Sequence, residues 1–428
     1  MRMRTINSAA VAVTLALAVV SCHLPESGSG TLQGRVTDAS GLGLASVAVI
    51  YGDSAVYTAE TGTYIYEGLP DGLQGVRFSL DGYYGVVRQV SIPDGGSVTC
   101  DVTMDILTSG WAVGMEDSGY GTILRTLDAG MTWVRQGSTG TIPAVNLNDV
   151  CAVDDSVCWV VGDADTVNNV SVILHTEDGG ATWGNQAGTL PLMNIRAVMS
   201  RDGVNAWAVA DSCLILRTTD GGDSWEICRT SSDVVRFTAV TTPDGVNVWC
   251  CGTDEAGGTV VEYSPDAGTT WNVLPVAAAY SGQVPEDILA VDSGTVYLTG
   301  SGAMGVLRST DWGSSWAAVS MIPGDMSAMD ACGEETVWVC GDRGMLYRTG
   351  DGFYTRRDVT LAADSYPGGT VSSVSFLRDA LRGAVAVKSS TGATGTILYT
   401  TDGGDVWNVS SVPFSFSIEA LDFVGGNN

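Results

Sequence analysis

An eleven-residue phrase recurs seven times along this chain, and no other feature limits its fold as tightly. It reads ILRTLDAGMTW from Ile123, ILHTEDGGATW from Ile173, ILRTTDGGDSW from Ile215 and VEYSPDAGTTW from Val261. It returns as VLRSTDWGSSW from Val306, LYRTGDGFYTR from Leu346 and ILYTTDGGDVW from Ile397. Its acidic residue falls at Asp128, Asp178, Asp220, Asp266, Asp311, Asp351 and Asp402, at intervals of 50, 42, 46, 45, 40 and 51 residues. That period is the one expected of four-stranded propeller blades. Between 13 and 19 residues before six of these Asp residues stands a second signature, an apolar strand closed by a small residue. It reads WAVG at Trp111, WVVG at Trp159, WAVA at Trp207, WCCG at Trp249, YLTG at Tyr297 and WVCG at Trp338, with only GAVAV at Gly383 in the seventh blade. The reading is an all-β chain whose larger part is a seven-bladed propeller.

Within one copy the residues have the logic of a turn. A Ser or Thr stands two before the Asp in all seven copies, the Asp can accept turn amides, and the Gly two later can take a positive φ. The Trp five later is placed to pack its ring between neighbouring sheets. These features resemble the Asp-box, or BNR repeat. In that family the box closes the turn between the third and fourth strands, away from the face that usually binds ligands. Copy six departs from the pattern, with Phe353 at the Gly position and Arg356 at the Trp position, so a distorted turn is expected there. Of 12 tryptophans, six belong to the phrase and five to the second signature, leaving only Trp312. The phrase therefore builds the fold and carries no chemistry of its own.

Residues 1–21 read as a lipoprotein signal peptide. MRMR precedes an apolar run from Ala9 to Val20, too short to span a bilayer comfortably. Val19-Val20-Ser21-Cys22 resembles a bacterial lipobox, which implies lipidation of Cys22 and an exported protein tethered at the outer membrane or cell surface. Residues 22–30 form the tether. Residues 31–105 then alternate apolar and polar residues in about seven short runs broken by Gly, Pro and Asp, the pattern of a small antiparallel sandwich. Gly34-Arg35-Val36-Thr37-Asp38, Gly62-Thr63-Tyr64-Ile65-Tyr66, Leu69-Pro70 and Gly82-Tyr83 resemble the carboxypeptidase regulatory-like domain, an accessory module. Glu60 stands where that family usually has Asp. No catalytic carboxypeptidase follows, and the module reads as a spacer.

The propeller occupies residues 106–428. Its first blade lacks an opening strand, whereas residues 417–424, SIEALDFV, read as an unmatched innermost strand at the other end. Pairing them beside residues 111–114 closes the ring with strands from both termini and hides two sheet edges.

A net charge of −28 argues against nucleic acid or an anionic membrane surface as partner. Two histidines and no CxxC pair exclude a convincing zinc site or Ser-His-Asp triad. Sialidases and xyloglucan-type hydrolases also carry Asp-boxes. Here Arg125, Arg217, Arg308 and Arg348 are all repeat positions, and no carboxylate pair stands out by spacing. The blades, reading WAVG…GxILRTxDGGxTW over residues 110–424, resemble more closely the photosystem II stability/assembly-factor type of propeller. That resemblance implies a non-catalytic binding or assembly scaffold with a protein or glycan partner in the cell envelope. A glycan-acting hydrolase is the second reading.

Two further expectations follow. The loops after the WAVG-type strands carry Glu116, Asp117, Asp163, Asp165, Asp254, Glu255 and Asp342, which would converge on one rim and suit a basic partner or a calcium ion; no other cofactor is expected. Cys151 with Cys158, and Cys213 with Cys228, flank hairpin turns and could face one another as disulfides, with Cys332 and Cys340 a weaker third pair.

Overall fold

A computed structural model describes residues 29–424, apart from 40, 81, 139, 277–279, 281–282, 293, 303, 320–321, 323, 362–368, 390, 392–393 and 413–415. Cys22, the signal peptide and most of the tether lie outside the described residues. The chain divides after Ile106 into two units.

In the first unit, period-two alternation produces two sheets. One orders Thr63–Pro70, Ser29–Thr37 and Ser97–Thr99, with Val102–Thr103 also on the central strand. The other orders Ser54–Tyr57, Ala48–Tyr51, Gly72–Ser79 and Val86–Ile92. Leu32, Val36, Val49, Tyr64, Val76 and Phe78 are buried between them. The sandwich is mixed and not wholly antiparallel, because Thr31 to Gln33 pair in parallel with Ser97 to Thr99.

Among the described residues, the second unit contains seven four-stranded sheets. Blade two shows the pattern: Leu147–Ala152, Cys158–Asp165, Val170–Thr176 and Gly184–Asn185, each antiparallel to the last. The innermost strands of blades three to seven are Ile195–Ser200, Arg236–Thr241, Pro285–Ala290, Met326–Cys332 and Thr370–Phe376. Blade one takes its innermost strand from the far end of the chain. Ile418–Phe423 pairs with Gly110–Asp117, placing Leu421 opposite Ala112 and Asp422 opposite Trp111.

The two signatures meet across the strands. Arg125 lies opposite Trp111, His175 opposite Trp159, Tyr263 opposite Trp249 and Arg348 opposite Trp338. Each partner covers the indole: Arg125 lies 5.0 Å and Arg348 5.2 Å from the ring centroid, and His175 stacks at 3.9 Å. The arginines then reach the next blade. Arg125 donates to the Gly179 carbonyl, Arg308 to Gly352 at 3.2 Å and Arg348 to Gly403 at 3.3 Å. His175 is shorter, and there Gln186 donates to Gly221 at 3.2 Å instead. The repeat residues thus lock each box turn to the preceding blade.

In the box of blade two, Asp178 accepts the Thr182 N–H at 2.8 Å and its hydroxyl at 2.6 Å, while Thr176 binds Asp178 and the Gly180 N–H. The Thr182 hydroxyl bond leads in holding the Asp178 carboxyl below its usual range. Copy six keeps the same turn, contrary to the expected distortion. Asp351 still accepts the Thr355 N–H at 2.8 Å, and the Phe353 N–H still reaches Thr349 at 2.8 Å. Phe353 adopts φ 65° to do so, and its buried ring meets Tyr297 edge-on at 5.8 Å. Packing of that ring offsets the backbone strain that glycine would avoid.

Candidate functional site

Seven innermost strands surround a central channel of about 200 Å³. An inner strand has a sheet neighbour on one side only, so its other edge leaves backbone N–H groups to be satisfied. Side chains from the neighbouring blade supply acceptors. Asp149 accepts the Val198 N–H at 2.9 Å, Asp287 that of Met329 at 2.7 Å and Asp330 that of Phe376 at 2.6 Å. Thr241 accepts from Ala290 at 3.2 Å, while Ser373 and Ser375 accept from Leu421 and Phe423 at 3.1 Å each. Asp422 accepts from Ala152 at 2.7 Å and joins blade one to blade two. Ala197 and Met199 stand at the matching positions of blade three and offer no oxygen.

Enclosure raises the pKa of Asp149, Asp287 and Asp330. Burial pushes Asp149 up to about 7 and Asp287 to about 6, against the lowering effect of the N–H groups they accept. Asp330 is raised well above the usual range for the same first cause. Sequence reading missed this set. The available signal was an Asp inside an apolar inner strand, as in LNDV, PEDI and AMDA, where an ionisable group needs a structural reason.

The rim carboxylates stand at the loop end of the blades, but six of the seven have a local role. Asp117 pairs with Arg135 at 2.7 Å, which holds its carboxyl below the usual range. Glu116 accepts the Gly119 N–H at 2.8 Å. Asp163 accepts from Asn148 at 3.1 Å and Arg196 at 3.4 Å. Asp165 caps its own loop through Val167 and Asn168 at 3.0 Å each. Asp254 closes a turn through Gly258 at 2.7 Å, and Asp342 accepts the Thr370 hydroxyl at 2.8 Å. Glu255 is exposed. Glu116, Asp163 and Asp165 share one depression of about 330 Å³, yet the described residues contain no group of three or more His, Cys, Asp or Glu able to hold a metal ion.

The cysteine pairings are also corrected. Cys151 lies opposite Trp159, and Cys158 opposite Ala152, so their side chains point to opposite faces of the blade and enter different cores. Cys213 lies beside Ser231 through a backbone bond, three residues beyond Cys228, whose thiol donates to the Ile215 carbonyl. Cys332 pairs with Thr336 and Cys340 with Ala328. All of these thiols are free.

Together these features define a seven-bladed propeller of Asp-box repeats preceded by a β-sandwich. Residues 31–105 match the carboxypeptidase regulatory-like domain, and residues 191–321 match the family of the photosynthesis system II assembly factor YCF48. No curated protein matches the chain. Among solved structures it is similar to a protein from Lactobacillus plantarum, at 10% identity and TM-score 0.54 over 74% of this chain and 99% of that one. The WD40 repeats of RRP9 align at 13% identity and TM-score 0.53, covering 73% and 89%. YCF48 bound to D1 peptide aligns at 15% identity and TM-score 0.48, covering 65% and 92%. The first two likenesses speak for the fold.

Proposed function

We propose that this chain is a non-catalytic binding or assembly scaffold for a protein partner, exported and tethered at the bacterial envelope through lipid on Cys22. The observation that carries the scaffold reading is the match of residues 191–321 to an assembly-factor family. It is supported by how the repeat residues are used: boxes, indoles and arginines join blades and leave the loop face to make contacts. The anchor rests on the lipobox-like residues 19–22 alone. Retrieval of envelope proteins on the full chain, beside a glycan array and a glycosidase-substrate screen, tests the reading. A stoichiometric protein partner without glycan turnover supports it, and turnover of a defined glycan overturns it. Metabolic labelling with a palmitate analogue, lost in Cys22→Ser, tests the anchor.

A glycan hydrolase is the second reading. Asp149 and Asp287 are the carboxyls it would have to employ, because both line the channel and hold their protons up to about pH 7 and about pH 6. Both already accept backbone N–H groups across blade joints, which favours the structural role.

A further inference from the structure

Each innermost strand contributes one residue to a ring at the loop-side mouth of the channel. Most members of that ring are occupied by the protein itself. Asn148 donates to Asp163 and to the Ile195 carbonyl, and Arg196 pairs with Asp211 at 2.7 Å. Thr238 donates to Cys251 and Ser372 to Ile418, while Glu419 is held by Lys388. Two adjacent members differ. Among the described residues, the side chains of Glu286 and of its neighbour Ser327 in the next blade have no hydrogen bond or ion pair. Glu286 is open to the channel mouth.

Carboxylates crowd Glu286. Burial is the first cause that raises its pKa; Arg236, itself directed at Asp211 at 3.6 Å, opposes the rise, and Asp325, Asp287 and Asp342 add to it. The cations closest to the rest of the ring are spent, Arg196 on Asp211 and Lys388 on Glu419. A carboxylate in a walled cavity, with like charges around it and no partner, focuses field toward a visiting cation. The ligand is not a metal ion, since no group of three or more ligating side chains assembles among the described residues.

We propose that the loop-side mouth of the channel, at Glu286 and Ser327, receives a basic side chain of a protein partner, an arginine in preference to a lysine. A guanidinium presents its donors as a planar fork, matching the Glu286 carboxylate and the Ser327 hydroxyl on neighbouring strands together. The channel has room for such a side chain at about 200 Å³. This rests on the protein-scaffold reading and names the chemistry of its partner.

The experiment titrates the full chain with tetra-arginine and with tetra-citrulline, its neutral counterpart of nearly the same shape. The same titrations are made on Glu286→Gln and on Glu177→Gln, an exposed site beside the second box. Tetra-arginine is expected to bind, tetra-citrulline to bind at least about tenfold more weakly, and Glu286→Gln to lose about tenfold while Glu177→Gln loses less than about twofold. Melting curves of Glu286→Gln, which removes no internal bond, establish that it is folded. The proposal is overturned if tetra-arginine does not bind, if Glu286→Gln binds it as tightly as the unaltered chain, or if both variants weaken it equally. A partner retrieved equally well by Glu286→Gln also overturns it, while leaving the scaffold reading intact. If no protein is retrieved by either form, the scaffold reading fails and the titration still decides the mouth.

Discussion

Asp422, near the C-terminus, accepts the backbone N–H of Ala152 at 2.7 Å, so one strand fastens two blades. The strand that carries it pairs with Gly110–Asp117 on its other side. Closure therefore depends on a ladder within blade one and on side-chain acceptors at both of its joints. Asp422→Ala leaves a buried N–H without an acceptor and is expected to cost about 1–3 kcal/mol. Removing residues 417–428 exposes the edge of Gly110–Asp117 entirely and should yield a chain that self-associates. Thermal melts and size-exclusion chromatography check both; a truncated chain that stays monomeric and melts like the full one contradicts this role.

The channel carboxyls give the propeller an unusual pH response. Asp149 and Asp287 have folded pKa values of about 7 and about 6, against about 4 for an unfolded Asp. Between those values the folded chain holds protons that the unfolded chain has released, so unfolding free energy falls as pH rises from about 4 to 7. Box carboxyls such as Asp178 and Asp220 are shifted downward and work in the opposite sense, losing their contribution as pH drops below about 4. The melting temperature should therefore peak near pH 4–5. Asp149→Asn, which keeps a side-chain oxygen for the Val198 N–H, should flatten the slope above the peak. A melting temperature that climbs steadily from pH 4 to 7 would exclude titration of these groups in the folded ring.

How much of this was legible follows from the range of each interaction. The box is local: Asp178, Thr176 and Thr182 lie within seven residues, so spacing alone exposes the turn. The indole signature is equally regular because one strand register repeats it. Asp149 meets Val198 49 residues away, and Asp422 meets Ala152 270 residues away, and no local pattern announces either bond. The same holds for Glu286, which lacks the lysine and the serine hydroxyl that hold Glu419. Composition could supply the sign of the rim but not its occupancy, because Asp117 and Asp163 are paired with arginines 18 and 33 residues further on.

Phe353 reverses the usual order of small substitutions. Its φ of 65° suits glycine, and its buried ring contributes to the core between blades five and six. Both Phe353→Ala and Phe353→Gly remove the ring and should cost roughly 3–5 kcal/mol. Alanine keeps a Cβ in the left-handed region, so Phe353→Ala should be the less stable of the two by about 1 kcal/mol. Denaturant titration of the pair decides it, and an alanine variant that is the more stable would show that the turn had relaxed to a negative φ.

The cysteines make the last prediction, and strand parity argues it. Side chains alternate faces along a strand, so two cysteines can bridge a hairpin only when their strands place them directly opposite. Ala152 holds the place opposite Cys158, and Trp159 the place opposite Cys151. A one-residue change of register would exchange the two faces of the strand and move Trp159 and Val161, fully buried where they stand, into the core that Cys158 and Val160 fill. Burial also raises the thiol of Cys151, with Asp422 adding to it, and raises that of Cys158 well above its ordinary value. Both should therefore be slow to form thiolate and slow to react. Under native conditions iodoacetamide should leave both unmodified, whereas Cys213, half-buried in a turn at φ 64°, should react first. After unfolding in the absence of reductant, mass mapping should recover both as alkylated thiols. A Cys151–Cys158 cross-link in that map would require a different register for the whole hairpin.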